Sequence, residues 1–116
     1  MQAKSEAQLL RIFVGESDKI RHVPLYEAVM REAKAAGLAG ATAWRGLMGF
    51  GPSSRVRTAK LLDLSVDMPV VIEITDEVTK IAAFLPVVDR LFEESAGGGL
   101  VTLENVQILR YSHGKR

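Results

Sequence analysis

A chain of 116 residues, 47% hydrophobic and 25% charged, has the make-up of one soluble globular domain with a single core and little surplus stability. Its net charge of +1 excludes a global field for nucleic acid or membrane surfaces, and the lack of cysteine excludes disulfides, thiolate metal sites and thiol nucleophiles. The polar start MQAKSEAQ does not read as a secretory signal, and no apolar run approaches the roughly 20 residues that cross a bilayer, so the expected location is the cytoplasm.

LLRIFV (Leu9 to Val14) is short and β-rich, and the GESD that follows stops the strand. Pro24 fits the first turn of a helix, where a missing N–H costs nothing. Leu25, Ala28, Val29, Ala33 and Ala36 then share one helical face, and Gly37 is placed to cap the C-terminus. ATAWRGLM (Ala41 to Met48) reads as a second strand weakened by Gly46, and VVIEIT (Val70 to Thr75) as the strongest strand, almost entirely β-branched. Asp76 can cap a second helix carrying Val78, Ile81, Ala82, Leu85, Val88 and Phe92 at helical spacing. Pro86 predicts a kink or break inside it, and Gly97-Gly98-Gly99 its end. LVTLENVQILRY gives one broken strand or two short ones, Val106 to Tyr111 being the firmer half, and SHGKR (112–116) a frayed tail.

The order β-α-β-β-α-β predicts an α+β, ferredoxin-like sandwich: a four-stranded antiparallel sheet with two helices on one face. The whole chain, 1–116, reads as one domain with its core at 8–111 and a long connection at 49–69. Alternation turns Leu10, Ile12, Val14 and Val70, Ile72, Ile74 toward the helices. The opposite face then carries Leu9, Arg11, Phe13, Val71, Glu73, Gln107, Leu109 and Tyr111. That surface is too apolar to stand free and predicts self-association. RNA binding on such a sheet needs stacking aromatics on the central strands, and VVIEIT has none, so no nucleic-acid partner is expected.

RGLMGFGPSSRVRTAK (Arg45 to Lys60) is where charge concentrates. It holds four basic residues and no acidic one, which leaves 11 basic against 14 acidic residues elsewhere, a net −3. The stretch fits a plain hairpin loop, an anion cradle or an arm that docks on a partner. GFGPSSR lacks the GxxxxGK[ST] of a phosphate-binding P-loop and the last glycine of GxGxxG. Loops this long are nonetheless uncommon unless functional or disordered, and an arginine–phosphate contact is charge-assisted. Ser53 and Ser54 have no neighbouring histidine to act as base, so no serine nucleophile is expected. His22 and His113 lack ligand spacing, and Glu16 and Asp18 in GESD fit a self-bonded turn better than a cation site; no metal is expected. Trp44 fits core or interface packing, with a cleft wall as the other use, and Arg45 reaches either a ligand or an inter-subunit pair.

LRIFVGESD, PLYEAVMREAKAAGLAGATAWRGLMGFG, SSRVRTAKLLDLSVDMPVVIEI and LVTLENVQILRY together resemble the PII-like family. These are small bacterial and archaeal proteins of unassigned function, distant relatives of the nitrogen-regulatory PII signalling proteins. The resemblance spans Leu9 to Tyr111. The weaker likeness to PII proteins themselves lies in GFG, IEI and the glycine-rich turn before the last strand. It implies a homotrimer with sheets facing inward, ATP, ADP or another nucleotide in clefts between subunits, and a T-loop at 49–69 that engages a membrane transporter or an enzyme, without insertion of this chain into the membrane. Gly49 and Gly51 match the GFG that lets backbone approach phosphate, Gly97, Gly98 and Gly99 match the second glycine turn, and Arg110 stands where PII proteins carry basic residues. Pro52 and Ser53 replace the basic and amide residues after GFG, Val71 replaces the lysine before IEI, and Leu100 replaces the basic residue after the glycine turn. Arg55, Arg57 and Lys60 are the available replacements, so the candidate ligand set is Arg45, Gly49, Gly51, Ser53, Ser54, Arg55, Arg57, Lys60, Gly97, Gly98, Gly99 and Arg110. The regulatory reading assigns no enzymatic activity; a small enzyme using the inter-subunit cleft and a structural oligomer without ligand are the alternatives.

Overall fold

The structure, a computed structural model, describes residues 5–51, 56–58 and 67–115, the middle segment by its backbone alone. β1 (Ser5–Gly15), β4 (Thr42–Arg45), β7 (Pro69–Glu77) and β8 (Leu100–Ile108) form one antiparallel sheet in the order β4-β7-β1-β8. α1 (Leu25–Ala35) and α2 (Val78–Ser95) cover one of its faces, as the ferredoxin-like reading expects. Two small ladders decorate this frame: β2 (Lys19–Ile20) with β3 (Val23–Pro24), and β5 (Met48–Phe50) with β6 (Val56–Thr58).

Hydrophobic alternation sets the register of the central pair. Leu10 faces Ile74, Ile12 faces Ile72 and Val14 faces Val70, and all six are buried under the helices. A one-residue slip would turn this set toward water, so the pairing is strongly specified. From the helices, Leu25, Val29 and Ala33 of α1 and Ile81, Phe84, Val88 and Leu91 of α2 complete the core. α1 ends in a Schellman motif: Leu38 N–H donates to Ala33 O and Gly37 N–H to Lys34 O, with Gly37 at φ +75°.

Several expectations are corrected. The buried stripe of α2 includes Phe84 and Leu91, while Val78 and Ala82 are exposed. α2 runs unbroken through Pro86. Pro86 and Ala82 both lie on the exposed side, so the carbonyl that loses its donor faces water. Asp76 is not the N-cap, because β7 continues to Glu77 and alternation turns Asp76 inward, where it is 1% exposed. There its carboxylate accepts from Glu77 N–H at 2.7 Å and from Ala39 N–H at 2.9 Å. Ala96, at φ 56°, ends α2 before the glycine turn is reached. The second strand breaks at Gly46 into β4 and β5, and Gly46 lies against Pro69, whose O accepts from Gly46 N–H at 2.7 Å.

The last strand differs most. β8 spans Leu100–Ile108, and Gln107 pairs with Glu6, which puts it on the helix-side phase; Leu109 and Tyr111 lie beyond the strand. The apolar pattern after Val106 fits either phase, and pairing with β1 decides it. Tyr111 instead donates its hydroxyl to Ala39 O at 2.8 Å, and His113 packs edge-on against its ring. Among the described residues no helix is long and apolar enough to cross a membrane.

Candidate functional site

Among the described residues, nothing covers the face of the sheet away from the helices. Cross-strand pairing sets Trp44, Val71, Phe13 and Leu100 in one row, and Thr42, Glu73, Arg11 and Thr102 in the next. Trp44 is 57% exposed and Leu100 53%. Arg11 sits at the centre: its Nε lies 2.8 Å from Glu73 Oε2 and its Nη1 2.8 Å from Glu104 Oε1. The Trp44 indole N–H donates to the other Glu73 oxygen at 2.7 Å. The hydrogen bond from Arg11, helped by that from Trp44, holds the Glu73 carboxyl below its ordinary range. The Arg11 guanidinium is pushed above its ordinary value in turn, chiefly by the bond to Glu73.

The described candidates separate into two groups along the strands. At one end of the sheet, β1 finishes at Gly15 opposite Pro69, β4 finishes at Arg45 opposite Val70, and β8 begins at Leu100 opposite Phe13. Arg45 and Gly49 therefore lie at the same end as Gly97, Gly98 and Gly99, on opposite outer edges of the sheet. Three strand spacings, about 14 Å, separate those edges. The turn after β1 runs between them. Glu16 reaches Arg45, its Oε1 lying 3.2 Å from Nε and 3.1 Å from Nη2, and the Asp18 carboxylate lies where a side chain on Gly97 would meet it. Asp18 also accepts from Gly15 N–H at 2.9 Å, the self-bonded turn that GESD suggested.

The glycines differ in what demands them. A Cβ on Gly99 would stand 2.5 Å from Phe13 O and 2.5 Å from the Phe92 ring, so packing alone requires glycine there. A Cβ on Gly49 would come no nearer than 3.4 Å to Pro69, and one on Gly51 would meet nothing within 4 Å. Gly49 and Phe50 lie on β5, where Gly49 pairs with Arg57 of β6. Ser53, Ser54, Arg55 and Lys60 lie outside the described residues.

Arg110 is at the far end. β8 carries the chain about 27 Å away from the glycine turn before Arg110 is reached. There Arg110 joins Ala39, Thr75, Ile108, Leu109 and Tyr111 around a concavity of about 530 Å³. One chain thus does not bring Arg110 to the other described candidates. The Glu16–Arg45 pair and the Tyr111–Ala39 bond are contacts that sequence reasoning missed. Both join residues at least 29 positions apart, which no local motif signals.

A family model described as uncharacterized ACR, DUF190, matches residues 7–108. The chain is 40% identical over 104 residues to a UPF0166 protein of Aquifex aeolicus (strain VF5), covering 88% of this chain and 92% of that protein. It is 30% identical over 105 residues to a UPF0166 protein of Methanocaldococcus jannaschii, covering 90% and 94%. Among solved structures, CPII from Thiomonas intermedia K12, a nitrogen regulatory PII-like protein bound to ADP, AMP and bicarbonate, superposes with a TM-score of 0.70 at 21% identity over 91% of each chain. The fold is that of the PII-like proteins.

Proposed function

The chain belongs to the DUF190 family, and on that premise we propose that it is a PII-like regulatory protein: a homotrimer that binds a small anionic ligand, an adenine nucleotide, in clefts between subunits and presents the 49–69 connection to a partner. The partner is a membrane transporter or an enzyme, and ligand occupancy sets which conformation it meets.

The observation that carries this reading is the separation of the candidates. Arg45 and the glycines stand at one end of the sheet, and Arg110 and Tyr111 around a concavity at the other. A contact that sets one end of one copy against the opposite end of the next unites them, and repeated with the right rotation it closes a ring. The sheet face turned away from the helices, with Arg11 already paired to Glu73 and Glu104, supplies the surface such a ring hides. CPII, which shares the fold, holds ADP, AMP and bicarbonate.

Native mass spectrometry of protein purified without denaturation tests both halves at once. Three subunits with a retained small molecule is the expected mass. A lone subunit at physiological concentration overturns the cleft. ADP added to the protein then raises its melting temperature, since a ligand that binds only the folded assembly stabilises it by mass action. A trimer indifferent to ADP, AMP and ATP is a scaffold.

A further inference from the structure

Residue 16 holds both roots of the 46–68 connection. Glu16 Oε1 accepts from Arg45 Nε and Nη2, on the residue before the connection, and from the N–H of Met68, its last residue, at 3.3 Å. The main chain repeats the link: Glu16 N–H donates to Met68 O at 2.8 Å, and Ser17 N–H to Asp67 Oδ1 at 2.9 Å. One carboxylate oxygen therefore serves three donors, at 3.1 to 3.3 Å rather than the roughly 2.7 to 2.9 Å of an unshared charge-assisted bond. The contact is weakly held and open to competition.

We infer that Glu16 is the built-in competitor of the ligand: it holds the Arg45 guanidinium, and an anion that takes Arg45 expels it and so releases the Met68 N–H. The inference rests on the proposed anion site at Arg45 and adds its regulation. An oxyanion bidentate on Arg45 fills the fork that Glu16 now touches. It also sets a like charge beside the Glu16 carboxylate, which then gives up its longest bond, the one to Met68. Occupancy at one root is thereby transmitted to the other through a single side chain, with no need for the ligand to touch Met68. Glu16 is a positioning residue in this scheme, not a ligand contact.

The test uses ADP as the probe on the full chain. Calorimetric titration of Glu16→Gln, which keeps an acceptor but removes the charge, is expected to show ADP bound about fivefold more tightly than by the natural protein, the equivalent of ~1 kcal/mol for an exposed ion pair. Arg45→Ala is expected to lose affinity about tenfold, as for one charge-assisted contact. Independently of any variant, amide exchange at Met68 is expected to quicken several-fold when ADP saturates the natural protein, and to stay unchanged on saturating Glu16→Gln. Equal or weaker binding by Glu16→Gln, or a Met68 amide indifferent to ADP, overturns the competitor role while leaving the nucleotide site standing. If neither the natural protein nor Glu16→Gln binds ADP, both fall together. Unaltered binding by Arg45→Ala removes the competitor role by placing the anion elsewhere.

Discussion

Arg11 and Glu73 face each other across the two central strands, 2.8 Å from Nε to Oε2, in the middle of the sheet face turned away from α1 and α2. Because Glu73 is held below its ordinary carboxyl value in the folded chain, its charged form stabilises the fold. That contribution is present above the pKa of an unfolded glutamate and is lost as pH falls through the lowered folded value. Arg11→Met is therefore expected to destabilise the protein at neutral pH, with the gap to the natural protein shrinking below about pH 4. NMR titration of the Glu73 carboxyl checks the cause: its midpoint rises in Arg11→Met.

Asp76 ties the start of α2 to the loop after α1. Asp76→Ala removes the acceptor of two part-buried bonds, from the N–H groups of half-buried Ala39 and exposed Glu77, a cost of about 1–3 kcal/mol in all because water reaches the Glu77 side. The expected result in chemical denaturation is a lower midpoint with an unchanged slope.

The turn between β2 and β3 puts Arg21 at φ 48° and His22 at φ 73°, the paired positive angles of a type I′ turn. Such turns favour Asn-Gly, and a residue with a side chain is held there at a cost of about 1 kcal/mol. His22→Gly is expected to raise stability by up to about that amount and to spare the Arg21–Glu94 ion pair. A lower melting temperature in this variant means that His22 makes a compensating contact.

Gly99 and Gly51 are expected to respond differently to one added methyl group. Gly99→Ala meets Phe13 O and the Phe92 ring and destabilises the fold by about 1–3 kcal/mol whatever the ligand. Gly51→Ala finds open space and leaves stability within about 0.5 kcal/mol. If Gly51 lets a phosphate approach the backbone, Gly51→Ala lowers ADP affinity without moving the melting temperature of the free protein. Loss of both together marks Gly51 as structural.

The fold was legible because its strongest signals were periodic. Ile72 and Ile74, Leu10 and Ile12, and the spacing of Leu25 and Val29 each leave one economical arrangement, and these residues form the core. Signals that tertiary pairing decides were not legible. The phase of β8 depends on β1, the inward turn of Asp76 on how far β7 runs, and the continuity of α2 through Pro86 on which side faces water. Of the candidate site, Arg45 could be named from the unbalanced run of cations, and the glycine turn only from the resemblance to PII proteins. Their common end of the sheet, the hold of Glu16 on Arg45 and the remoteness of Arg110 come only from the register of strands far apart in sequence.

The distance between Arg45 and Arg110 also makes ligand stoichiometry a count of contacts. If each groove needs the leading end of one copy and the trailing end of another, an open row of copies always has one groove fewer than it has copies, and only a closed circle has as many. Three nucleotides per three chains at saturation would then report closure itself, and a dimer holding one would report a gap.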